Sequence, residues 1–263
     1  MSLQKISPLL AIIALLAFGC IENIDLPNDD PRLVIEALIT NQGASILLTS
    51  SVSKTASNEF PTVNDALLLL ENEDGEEIPL VNVEDGRYAS PQAAEVGKRY
   101  KLQVTRAGTT YTAFSTMPDS ILSIDSLQHR YEEIPGENTE VSVLTLFLQD
   151  PPGEENRGII RVRGNNGFFQ EGLYDDAEVD GQYRIEDFQL DQALPIGTVL
   201  TVELLQLELN VFRYFEAIEE ARNDGAVGGL TTAPPVNPQG NFDKDALGLF
   251  AAATSTSIII EVN

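Results

Sequence analysis

The chain has 263 residues, with 16 Lys and Arg set against 41 Asp and Glu, a formal net charge of −25. An acid excess on this scale argues against nucleic acid or anionic lipid head groups as partners, because both are bound through basic patches. A hydrophobic fraction of 43% belongs to a globular chain with a packed core and excludes a disordered one. The length allows one large or two small domains. Only one cysteine is present, so no intrachain disulfide supports the fold and its stability has to come from packing.

That cysteine ends the first element. Leu9 to Cys20 reads LLAIIALLAFGC, follows a head carrying Lys5, and holds no charge. A helix needs ~20 apolar residues to cross a bilayer core, so this run is too short to span. It matches the apolar region of a secretory signal peptide. Ala17-Phe18-Gly19-Cys20 resembles a bacterial lipobox, which implies cleavage before Cys20 and acylation of its thiol and new amine. Two or more acyl chains anchor stably, at ~0.8 kcal/mol per buried CH₂. The alternative is an ordinary signal peptide with an incidental cysteine. Residues 1–20 are thus read as a lipoprotein signal peptide. Residues 21–32, IENIDLPNDDPR, carry four acids, two prolines and no periodicity, and read as an extended tether.

From Leu33 to Met117 the period is that of strands. Leu33–Thr40, Ser45–Val52, Asp65–Asn72, Glu77–Val83, Arg87–Ser90, Tyr100–Arg106 and Thr109–Thr116 alternate in polarity. Turn signals separate them, including Asp74-Gly75 and Asp85-Gly86. Seven short strands in one stretch predict an immunoglobulin-like β-sandwich over 33–118. The absence of tryptophan and of a cysteine pair excludes the antibody type of core.

Met117-Pro118-Asp119-Ser120 reads as a boundary, and 119–263 as a second β-rich unit. Ser120–Glu133 is either a strand or a short helix. Strands are expected at Glu140–Asp150, Gly158–Gly164 and Thr198–Leu209, near Tyr174 and from Tyr183 onward. Asn210 is placed to cap a helix over 211–223, with Val211, Phe212, Phe215 and Ile218 on its apolar side and Gly225 at its end. Ala246–Ser255 and Ser257–Val262 read as two closing strands.

The order of features then resembles a known family. Cys20 is followed by IDLP, then RLVIEALITN, DPPGEEN, VELLQLELNVFRYFEAIEE and PVNPQGNFDKDALGLFAAATS. This is similar to the Bacteroidota lipoproteins of the domain-of-unknown-function family numbered 4249. The most specific parts are the join at Glu208–Tyr214 and the pattern from Asn237 to Phe250. The resemblance implies an outer-membrane lipoprotein, often encoded beside a TonB-dependent receptor, on the periplasmic face or at the cell surface. It implies no biochemical activity and carries over no functional residue except Cys20.

Residues that could carry chemistry are few. The single histidine, His129, cannot build a zinc site alone, and reads as a partly exposed linker residue. Asp176, Glu178, Asp180 and Asp187 approximate a calcium loop of the D-x-D-x-D-G type ending in an acid. The competing reading makes Asp180-Gly181 a hairpin turn between the strand near Tyr174 and the one from Tyr183. Phe168, Phe169, Tyr174, Tyr183 and Phe188 gather nearby, either as packing or as a contact surface. No catalytic residue or cofactor is singled out. The expectation is a non-enzymatic accessory or ligand-binding partner of a TonB-dependent transporter. The alternatives are a structural or adhesive surface lipoprotein, or a small hydrolase using Asp175, Asp176 or Glu178.

Overall fold

The computed structural model describes residues 30–52, 60–153, 156–175, 181–226 and 238–263, without the side chains of 223–226. Cys20 and most of the tether lie outside the described residues. Residues 31–263 form one compact unit.

Strand alternation organises the first half. β1 (Leu33–Thr40) and β2 (Gly43–Ser50) form a hairpin that turns Ile35, Ile39, Ile46 and Leu48 inward. β4 (Val81–Glu84) and β5 (Arg87–Ser90) extend this sheet beyond β2. β3 (Leu67–Asn72), β6 (Arg99–Arg106) and β7 (Thr109–Thr116) form an opposing three-stranded sheet that contributes Leu70, Tyr100, Leu102 and Ala113 to the same core. The result is the expected Ig-like sandwich. The Asn72–Glu76 turn is held by its own side chain, since Asn72 Oδ1 accepts the Asp74 and Glu76 amides at 3.0 and 2.9 Å.

A second sandwich follows. β8 (Ser123–Glu133), β9 (Glu140–Gln149) and β12 (Tyr183–Gln189) form another three-stranded sheet. It faces β10 (Arg157–Gly164), β11 (Phe169–Asp175) and β13 (Val199–Leu207) across a core of Leu144, Leu146, Leu148, Ile160, Val162, Tyr174, Leu200 and Val202. The stretch that the sequence left between strand and helix is therefore the strand β8.

The closing element joins the two. β14 (Leu247–Glu261) is one 15-residue strand, where two were expected. It runs parallel to β1 over Leu247–Ala253 and antiparallel to β13 over Ala253–Glu261. The large sheet therefore has eight strands in the order β11-β10-β13-β14-β1-β2-β5-β4. Phe250 and Ala252 enter the first core, while Ile258 and Ile260 pack against the second. The boundary expected at Met117–Ser120 falls between β7 and β8, at the passage from one three-stranded sheet to the other, and both sandwiches share β14.

Helix α1 (Leu209–Ala226) lies on the opposite face of the large sheet. It begins one residue before the expected cap, with the Phe212 amide donating to the Glu208 carbonyl at 3.0 Å. It also runs through Gly225, where a stop was expected. Val211 and Phe212 share a buried cluster with Ile159, Leu205, Leu207, Leu249 and Ala253, which seats the first turn of the helix on the sheet. Among the described residues no helix is long and apolar enough to cross a membrane.

The expected hairpin around Asp180-Gly181 is corrected. β11 pairs with β10 and β12 with β9, so the two strands sit in opposing sheets. The sheets approach closely there, and a side chain at Gly172 would strike the Phe188 ring.

Candidate binding groove on the large sheet

The face of the eight-stranded sheet turned away from both cores carries an open groove of about 1040 Å³. Its floor comes from the outward residues of the alternating strands, among them Leu38, Leu47, Leu205 and Leu249. Tyr214, Phe215 and Ile218 of α1 wall one end. Burial, assisted by the Glu36 carboxylate, pushes the Tyr214 hydroxyl above its ordinary pKa, so this end holds a neutral phenol.

At the other end three charges stand directly opposite one another on β11, β10 and β13, in the order Glu171, Arg161, Glu203. Arg161 Nε reaches Glu171 Oε1 at 2.5 Å, and its Nη1 reaches Glu203 Oε2 at 3.4 Å. Arg163 Nη1 adds a 3.1 Å contact to the same oxygen, while Ser255 Oγ donates to Glu203 Oε1 at 2.9 Å. Directly opposed unlike charges stabilise a sheet by about 0.2–1 kcal/mol each. Their larger effect here is to fix the orientation of the row. Arg163 is half-exposed and lies over the Phe169 ring, 5.7 Å from its centroid.

The groove is electrically balanced. Its charged lining is Glu36, Glu171 and Glu203 against Arg87, Arg161 and Arg163, in a chain whose net charge is −25. A bound partner therefore meets no local excess of acid. Arg161 and Arg163 alternate with the core residues Ile160 and Val162 along β10, which puts both arginines on the outward face.

The aromatic group divides. Tyr174 is buried, and Phe168 and Phe188 pack against the second core. Phe169 is 55% exposed and lines the groove, and Tyr183 is 52% exposed on the outer side of β12.

Of the proposed calcium ligands, Asp176, Glu178 and Asp180 lie outside the described residues. Asp187 stands on β12 in a two-pronged pair with Arg130, Nη1 to Oδ1 at 2.9 Å and Nη2 to Oδ2 at 2.8 Å. Thr145 Oγ1 also donates to Oδ1, at 2.6 Å. Both carboxylate oxygens are thus already engaged. Among the described residues no three His, Cys, Asp or Glu are placed to hold a metal ion. The Arg130 hydrogen bonds, with help from Thr145, hold the Asp187 carboxyl down at about 2. A depressed carboxyl contributes stability above its unfolded pKa of about 3.9 and loses it as pH falls through the folded value. Asp187→Asn should therefore lower the urea midpoint slightly at pH 7, with the gap to wild type closing between about pH 4 and pH 2. The pair is half-exposed, which keeps the effect small.

His129 is a strand residue of β8 and not a linker residue. Its Nε2 lies 3.0 Å from Ser142 Oγ, and its ring meets Tyr131 edge-on at 4.7 Å. Burial lowers its pKa. Ser142 has no exposed surface, and its Oγ also accepts the Leu194 amide at 3.0 Å, so this pair serves packing. Asp175 pairs with Arg157 at 3.6 Å.

The stretches that carry the family resemblance have structural work. Asn241 accepts the Phe250 amide and donates to the carbonyls of Phe250 and Phe114, which ties β14 to β7. Glu208 Oε1 accepts Ser115 Oγ and the Thr116 amide.

No curated protein matches this chain. Among solved structures it is similar to a two-domain fibronectin type-III segment of chicken tenascin, at 15% identity and a TM-score of 0.21, covering 68% of this chain and 91% of that one. It is also similar to a pullulanase complexed with maltotriose from Anoxybacillus sp. LM18-11, at 13% identity and a TM-score of 0.22, covering 65% of this chain and 24% of that one. The family model described as "Domain of unknown function (DUF4249)" matches residues 21–259, and the chain belongs to that family.

Proposed function

We propose that the protein is a non-enzymatic, lipid-anchored accessory of a TonB-dependent transporter in the outer membrane, and that the groove on the large sheet is its contact surface. The observation that carries the reading is the groove itself. It joins an apolar floor, aromatic walls and oriented guanidinium groups in a charge-balanced patch on an acidic chain. Interface cores are enriched in aromatic residues and arginine. The lipobox at Cys20 supports the anchor, and the gene neighbourhood implied by the family resemblance supports the transporter. Acyl chains at Cys20 confine the protein to the membrane plane, which raises its effective concentration beside a membrane partner.

The test is purification of the tagged protein from native membranes in mild detergent, with mass spectrometry of the recovered proteins and of Cys20. The expected result is an acylated Cys20 and a near-stoichiometric TonB-dependent barrel. Recovery of the acylated lipoprotein alone contradicts a stable complex and favours a structural or adhesive role.

A further inference from the structure

A second recess, of about 430 Å³, lies between the start of α1, the end of β7 and residues Gln239–Asn241. Small-molecule sites occupy roughly 300–1,000 Å³, so the space suits a small metabolite. Arg99 reaches it from β6, with its guanidinium carbon 4.6 Å from the Phe114 centroid. In a chain with 41 acids, Arg99 pairs with no carboxylate among the described residues. Stacking on Phe114 orients its planar fork of donors, the geometry that carboxylates fit.

Glu208 presents the opposite charge. Its Oε1 is held by Ser115 Oγ at 2.7 Å and the Thr116 amide at 3.1 Å, and its Oε2 has no partner among the described residues. The side-chain amides of Asn210 and Gln239 also line the recess and make no hydrogen bond among the described residues. Val211 and Leu249 supply an apolar floor.

A fixed cation and a fixed carboxylate sharing one small recess match a ligand that carries both charges. A net −25 on the chain opposes anions, whereas a zwitterion has no net charge to repel. We propose that this recess binds a free α-amino acid, with its carboxylate on Arg99 and its ammonium on Glu208 Oε2. The recess shares Leu249 with the groove and no other lining residue, and the proposal does not depend on the transporter reading.

The experiment is titration calorimetry on the full-length protein in detergent with three probes, L-leucine, N-acetyl-L-leucine and L-leucinamide. L-leucine should bind, and each capped form, which mimics one end of a peptide, should bind at least about tenfold more weakly, because each loses one charged contact. Arg99→Ala and Glu208→Gln should each weaken L-leucine binding by at least about tenfold. Arg99 is exposed, so Arg99→Ala should leave the thermal midpoint unchanged. No heat with L-leucine at about 10 mM overturns the proposal, as does equal affinity for a capped form or an Arg99→Ala variant that binds normally.

Discussion

Phe250→Ala should destabilise the protein by about 3–5 kcal/mol, the cost of emptying a well-packed aromatic site. Phe250 has no exposed surface and stands on β14 where that strand runs parallel to β1. The backbone there leaves little room to collapse into the void. Two residues earlier, Gly248 has φ of +93°, and any side chain at that position would collide with the Ile35 carbonyl. The same strand carries Ile258 and Ile260 to the second core, so loss on one side should propagate to the other. Urea unfolding should show one transition at a lower midpoint with an unchanged slope. A cost below about 1 kcal/mol, or two separated transitions, would contradict a shared strand.

Asp150→Ala should cost about 2–5 kcal/mol, because it strands buried donors. Asp150 has no exposed surface. Its Oδ1 accepts Asn156 Nδ2 at 2.6 Å, and its Oδ2 accepts the Gly181 amide at 2.7 Å. Asn156 Oδ1 in turn accepts Gln206 Nε2, and Gln206 Oε1 accepts the Leu122 amide and Thr254 Oγ1, both at 3.1 Å. Asp150 and Asn156 are thus tied through Gln206 to the middle of β14. Asp150→Asn keeps the volume but turns an amide toward one donor, so an intermediate loss is expected. Urea midpoints of the two variants check this. An Asp150→Ala protein within about 0.5 kcal/mol of wild type would mean that the acid does not hold this hydrogen-bond network.

The same network explains where the sequence was hard to read. β1, β5 and β7 have the bounds that alternation predicts, because each buries one face and exposes the other. Alternation divides β14 at Thr256, between Ser255 and Ser257, because polar residues interrupt its apolar pattern there. In the fold Thr254 and Thr256 face inward between the two cores, where they bond to Gln206 and to the Leu122 carbonyl. Parallel pairing of β14 with β1 joins residues more than 200 positions apart, and no turn signal marks it. Assigning β11 and β12 to opposing sheets likewise depends on partners distant in sequence. The groove was missed for a related reason. Arg161, Glu171 and Glu203 sit on separate strands, and only the register places them in one row.

The most direct test of the central claim is the membrane purification repeated on three proteins. These are wild type, the double variant Arg163→Ala with Phe169→Ala on the groove, and Gln128→Ala on the exposed face of β8. Wild type and Gln128→Ala should bring down the TonB-dependent barrel in equal amounts, and the groove variant should recover at least about tenfold less, as loss of interface hot-spot side chains does. Equal recovery of the barrel by all three would remove the groove as the contact surface, and no barrel with wild type would remove the transporter reading.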